Sequence, residues 1–177
     1  MALALVSGQS GDTGGTMLNN SSPGTILPGN TTIGNCVVVC IATSMVWSTC
    51  SISSSIGTFV NITPSAKGGT SYALSWFVCY KATGAAAAIT PTFNAAYHWY
   101  GQGTEWSGAG TTALTGSSAT GSSGVPSLGV TPHASGDAVF VAACSYNAAL
   151  TGPSSPWTLY SAGGFTGSAA CYAQTAW

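Results

Sequence analysis

Charge is what this chain lacks. Asp, Glu, Lys and Arg make up 3% of its 177 residues, against about 25% in an ordinary domain. Arginine is absent, and the charges reduce to Asp12, Lys67, Lys81, Glu105 and Asp137. Two lysines cannot neutralise a run of phosphates, so nucleic-acid binding is excluded. Polybasic attraction to a membrane surface fails for the same reason. No apolar run reaches the roughly 18 residues of a membrane-spanning helix. The N-terminus, MALALVSGQS, has no basic segment ahead of its short apolar stretch, so it does not read as a signal peptide. Synthesis in a cytoplasm without processing is the simpler expectation.

Reaction chemistry is equally short of parts. The histidines are His98 and His133, and no Gly-x-Ser-x-Gly elbow occurs. Asp137 stands four residues from His133, but an aspartate before a strand is ordinarily a turn residue. Glycoside hydrolysis needs two facing carboxylates. Glu105 and Asp137 are the only plausible pair, and Glu105 sits in a Gly-rich stretch. Cys36-x3-Cys40 is the one close pair of metal-type ligands, and it lies inside an apolar run, where core packing is the plainer reading. No phosphate loop, calcium loop or heptad repeat is present. The reading is a non-enzyme without metal or cofactor.

Six cysteines occur, at Cys36, Cys40, Cys50, Cys79, Cys144 and Cys171. Cys36 and Cys40 on one strand would be about 13 Å apart at Cα, whereas a disulfide needs under about 7 Å. Small buried free thiols are expected.

What the chain has is apolar and hydroxyl-bearing. Hydrophobic residues make up 45%, with six Trp, seven Tyr and five Phe. That is the reverse of a disordered composition. At this length roughly 70% of the unfolded surface can be buried. No segment has helical periodicity; Ala85–Ala88 is the best local helix former and runs into Pro91. Ser71–Tyr80 alternates, with Tyr72, Leu74, Trp76, Val78 and Tyr80 on a bulky face and Ala73, Ser75, Phe77 and Cys79 on a smaller one. Cys36–Thr43 and Asp137–Tyr146 are apolar on both faces, as central strands covered twice would be. Weaker strands are expected at Met45–Ser51, Thr58–Ile62, Ala86–Phe93, Ala95–Tyr100, Leu128–Thr131, Trp157–Ser161 and Ala169–Trp177, punctuated by Gly, Pro, Asn and Ser.

This pattern predicts an all-β fold, a jelly-roll-type antiparallel β-sandwich. Residues 1–34, rich in Gly and Pro, read as an extended N-terminal arm, and residues 35–177 as the sandwich domain. Gly101–Gly124 reads as a long Gly/Ser-rich loop, functional or floppy, with Trp106 as the anchor if it serves an interface. Tyr97, Trp99, Tyr100 and Trp106 cluster around His98 and form the candidate interaction surface, suited to sugar stacking or a protein contact; alternate members such as Tyr97 and Trp99 could instead face the core. Asn-x-Ser/Thr sequons at Asn19, Asn20, Asn30 and Asn61 are unsurprising in so Ser/Thr-rich a chain and matter only after secretion.

The order of segments resembles phage and bacterial β-sandwich structural proteins of jelly-roll, concanavalin-like type. The residues that carry it are Gly34-Asn35-Cys36-Val37-Val38-Val39, Ser55-Ile56-Gly57-Thr58-Phe59, Trp76-Phe77-Val78-Cys79-Tyr80-Lys81 and Ser135-Gly136-Asp137-Ala138-Val139-Phe140-Val141, within residues 34–177. Charged turn residues usual after the second strand are missing, and the pattern stops one strand early at Trp177. An open sheet edge is therefore expected, and open edges recruit partners. The resemblance implies virion or surface roles without catalytic residues: capsid decoration, cementing or fibre domains. The expected function is a virion decoration or cement protein packing on its own copies, as a homotrimer, and on a major capsid protein, assembled in host cytoplasm. The alternatives are a secreted filament or adhesin subunit and a carbohydrate-binding module.

Overall fold

The computed structural model describes residues 3–13, 18–19, 22–43, 49–62, 73–95, 98–110, 138–144, 158–163 and 169–175, with side chains as far as residue 142. Every element is a strand: β1 (Ala4–Asp12), β2 (Leu18–Asn19), β3 (Gly24–Asn30), β4 (Cys36–Thr43), β5 (Cys50–Ser54), β6 (Val60–Asn61), β7 (Ala73–Cys79), β8 (Ala86–Phe93), β9 (His98–Ser107), β10 (Ala138–Cys144), β11 (Thr158–Gly163) and β12 (Ala169–Thr175). They form three sheets. The largest runs β1-β9-β4-β7-β6, with β2 continuing β1 along β9; the others are β3-β8-β5 and β10-β12-β11. All pairings are antiparallel.

Strand β4 sits between β9 and β7, and every one of its residues is buried. Its alternation sends Val37, Val39 and Ile41 into one core with Ile26, Leu27, Phe77, Ile89 and Trp99. Cys36 and Val38 enter a second core with Val78 and Trp106, backed by Trp76 and by Phe140 of β10. The large sheet is therefore covered on both faces, the reason β4 tolerates no polar face. The smaller face of β7 is the one turned to the main core: Ala73, Phe77 and Cys79 pack there, while Trp76 and Tyr80 support the second cluster.

In β8, Ala87, Ile89, Pro91 and Phe93 point inward and Ala86 and Thr92 outward. Period-two burial against β3 and β5 overrides the helix propensity of the alanines. Pro91 lies beyond the last residue of β8 that pairs with β3, where only β5 is alongside, a position that tolerates the missing N–H.

Two expectations need correction. Within residues 1–34, the described stretches β1 and β3 are not an arm: β1 pairs with β9 from Ala4↔Ser107 to Asp12↔Gln102, and β3 delivers Ile26 and Leu27 to the core. The glycines that made this segment look loop-like permit close approach. A Cβ on Gly11 would stand 3.1 Å from the Ile26 carbonyl oxygen. Nor is Gly101–Gly124 all loop, since residues 101–107 belong to β9, held between β1 and β4. Gly103 lies directly under Ile26, and a Cβ there would be 3.0 Å from both the Ile26 carbonyl oxygen and its Cδ1. Residues 111–124, and the strand expected at Leu128–Thr131, fall outside the described residues.

Candidate interaction surface

The aromatic cluster of the sequence is turned inward. Trp99, Tyr100 and Trp106 lie on β9 and are buried, so the three cannot form an exposed surface on this domain. Trp99 lies in a cradle of glycines: a Cβ on Gly24 would be 2.5 Å from its Cη2, and one on Gly101 would be 2.7 Å from its Cζ3. Its Nε1 donates to the Asn19 carbonyl at 3.0 Å, which satisfies the one polar atom of a buried indole. Trp106 projects from the opposite face of β9 and donates Nε1 to Thr104 Oγ1 at 2.9 Å. Its ring meets Phe140 edge-on with centroids 5.3 Å apart, and Trp76 meets Phe140 at 5.9 Å. Trp106 thus joins β9 to β10 instead of anchoring a loop. Tyr97 lies outside the described residues. A signal for burial was present in the spacing: Trp99 is followed at period two by Gly101 and Gly103, bare positions over which other side chains lie.

The two acidic side chains among the described residues stand on opposite faces of the large sheet. Glu105, paired in register with Val37, shares the face of the main core. Asp12, paired with Gln102, belongs to the other face. Two acids on opposite faces of one sheet cannot share a reacting bond. Glu105 is wholly buried and committed to the turn before β4. Its Oε1 accepts from the Thr32 N–H and from Asn35 Nδ2, each at 2.7 Å. Its Oε2 is buried without a hydrogen-bond partner. Sequence reasoning weighed Glu105 only as a catalytic acid and missed this clamp. Lys67, His133 and Asp137 lie outside the described residues.

Cys36, Cys40, Cys50 and Cys79 are free thiols. Burial pushes Cys36 and Cys50 up to about 12, with the neighbouring Cys79 adding to the effect at Cys36, and burial also raises Cys79. Among the described residues no group of three or more Cys, His, Asp or Glu is placed to hold a metal ion, and no helix is long and apolar enough to cross a membrane.

The outward face of β3-β8-β5 is uncharged and hydroxyl-rich. Thr25, Ser51, Ser53, Ala86 and Thr92 are exposed there, with Ala88 and Thr90 between them, and Ser51 stands opposite Thr92 and Ser53 opposite Thr90. Two large apolar side chains stand out from this neutral surface among the described residues: Ile33, 79% exposed, and Val60, 47% exposed. Beside Val60 lies an open groove of about 330 Å³ lined by Thr58, Val60, Cys79, Tyr80 and Lys81.

Comparison with known proteins leaves these features to stand on their own geometry, because no family model, no curated protein and no solved structure matches the chain.

Proposed function

We propose that this chain is a structural, non-catalytic β-sandwich that works by packing against copies of itself, in the manner of a virion decoration or cement protein. The observation that carries the reading is the outward face of β3-β8-β5, where Ser, Thr and Ala occupy the described positions without a charge. A surface with net charge near zero has little self-repulsion, so association is favoured. The separation of Asp12 from Glu105 supports a role without acid–base chemistry. The free thiols favour a reducing compartment of assembly over a secretory route, and burial of Trp99, Tyr100 and Trp106 weighs against a sugar-stacking platform made of those three rings.

The test is the mass of the purified chain in solution across a concentration series, followed by imaging of the native particle. Assembly into a closed oligomer, found on a capsid surface, is the expected result. A chain that stays monomeric at high micromolar concentration would sink the proposal.

A further inference from the structure

Among the residues whose side chains are described, the sheet edges are β1 and β2 on one side of the large sheet, β6 on its other side, and β3 and β5 in the smaller sheet. An edge strand carries a row of backbone N–H and C=O groups that another strand can complete, and folded chains blunt such edges with short strands, prolines, charges or bulges. Every edge but one is blunted here. β2 and β6 are two residues long. β1 breaks register between Leu5 and Ser10 and packs against β3. β3 contains Pro28 and breaks register between Thr25 and Asn30. β5 has none of these devices. Its residues Cys50 to Ser54 pair with β8 without a break, and neither a proline nor a charge occurs among them.

The open side of β5 is also held ready. The Thr49 N–H donates to Asn94 Oδ1 at 3.5 Å at its start, and Ser54 Oγ donates to the Ala88 carbonyl at its end. Both bonds run to the β8 side. In the middle, Ile52 stands opposite Pro91. Proline has no N–H, so this pair exchanges no hydrogen bonds, and the Ile52 N–H and carbonyl turn to the open side. By alternation those of Cys50 and Ser54 do the same, while Ser51 and Ser53 bond to β8.

This edge fits its own copy. Turned about a two-fold axis through Ile52, a second β5 runs antiparallel, with Ile52 against Ile52, Cys50 against Ser54 and Ser51 against Ser53. About six backbone hydrogen bonds then form. Ser51 against Ser53 repeats the hydroxyl-to-hydroxyl positions that β5 already shares with Thr92 and Thr90, and no charge is brought against another. Area favours this arrangement over stacking of the outer face alone. Three strands of up to eight residues present about 14 by 26 Å, less than half of the roughly 800 Å² that each partner gives to a stable interface. Pairing through β5 joins two such sheets and doubles the neutral face.

We propose that two copies of this chain pair β5 to β5 about a two-fold axis, continuing the β3-β8-β5 sheet across the contact. The proposal rests on the self-packing reading above and extends the same outer face that carries it. The unit of assembly is then a dimer.

The experiment has two arms. Sedimentation of the full chain is compared with two double variants, one carrying Ser51→Lys and Ser53→Lys, the other Ser51→Glu and Ser53→Glu. Both positions are exposed in the single chain, and circular dichroism checks the fold. Each variant alone sets like charges directly opposite one another across the axis and should self-associate at least about tenfold more weakly than the parent. Mixing the two sets ammonium against carboxylate and should restore the dimer, a rescue that damaged folding does not give. In the second arm, Ser51→Cys and Ser53→Cys chains, each also carrying Cys50→Ala, are purified separately, mixed and oxidised. The mixed disulfide should exceed either self-disulfide, since Ser51 faces Ser53 and not itself. Lysine variants that associate as the parent does, a mixture no tighter than either variant alone, a mixed disulfide no more abundant than the self-disulfides, or a parent that sediments strictly as a trimer each overturn the β5 contact and leave self-packing through another surface. A parent that stays monomeric at high micromolar concentration removes the self-packing reading and the contact together.

Discussion

Replacing Gly24 with alanine tests the packing of the main core at its tightest point. The added Cβ would stand 2.5 Å from Trp99 Cη2, 2.7 Å from Thr13 Cγ2 and 3.0 Å from Leu18 Cδ1. The indole would have to retreat by almost an ångström, and it also lies against Gly101, where a Cβ would be 2.7 Å from its Cζ3. Overpacking of this kind costs about 1–3 kcal/mol. Alanine recovers about 0.4–1 kcal/mol by restricting the unfolded chain, since Gly24 has no left-handed backbone to strain. The net loss is therefore centred on about 1.3 kcal/mol, and at about 2–4 °C per kcal/mol for a chain of this size the midpoint should fall by about 3–5 °C. Urea and thermal unfolding followed by far-ultraviolet circular dichroism measure it without relying on tryptophan emission. The mechanism is specific to Trp99, so a double-mutant cycle with Trp99→Leu should return a coupling of at least about 1 kcal/mol, the alanine costing little once the ring is gone. Gly110→Ala, with no atom within 4 Å of its Cβ, is the neutral control. If Gly24→Ala is as stable as the parent, or costs the same in the Trp99→Leu background as in the parent chain, the cradle account is wrong.

Three further outcomes follow from the same structure. Glu105→Ala leaves the Thr32 N–H and Asn35 Nδ2 without an acceptor and should cost about 2 kcal/mol or more, whereas Glu105→Gln keeps one carbonyl oxygen, removes the buried charge and should stay within about 1 kcal/mol of the parent in urea unfolding. Because Cys36 is held as a thiol up to about 12 in the folded chain, against 9.0 for an ordinary thiol, its contribution is intact below pH 9. It is lost as the pH rises from 9 to about 12, with a slope of up to about 1.4 kcal/mol per pH unit that Cys36→Ala should remove. The proposed self-association should persist unchanged to about 1 M salt, where the Debye length is about 3 Å; sedimentation showing dissociation on adding salt would contradict packing that does not depend on charge pairs.

How far the sequence discloses this fold depends on where each strand's information resides. Cys36–Thr43 and Ala86–Phe93 are legible to the residue, because in each the burial pattern is written in the strand's own side chains. Strands β1 and β3 and the second half of β9 are not legible, because their glycines take their meaning from atoms on other strands. Gly103 is a strand residue only in view of Ile26 above it, and Gly11 only in view of Ile26 and Pro28. The aromatic cluster fails for a related reason. Period two places Trp99 and Trp106 on opposite faces of β9, but a sheet covered on both sides buries both, and that second cover comes from Phe140, far along the chain. Glu105 was visible as an acid and invisible as a clamp, since its two donors belong to a turn some seventy residues earlier.

The scarcity of charge also has an internal counterpart. Hydroxyl groups take over the task of capping loose carbonyls: Thr43 Oγ1 donates to Ala73, Ser54 Oγ to Ala88, Thr83 Oγ1 to Ser55 and Thr31 Oγ1 to Ala85. A hydroxyl can donate there and still accept, so a buried partner is satisfied without burying an ion. The same Ser/Thr-rich composition that leaves the outer sheet face neutral thus fastens the turns from within. Glu105 is the exception, and it sits under the one turn that presents an isoleucine to solvent. Its Oε1 gathers two donors from that turn while its Oε2 is buried without a hydrogen-bond partner, so this side chain, unlike the hydroxyls, leaves polar capacity unmet in the core.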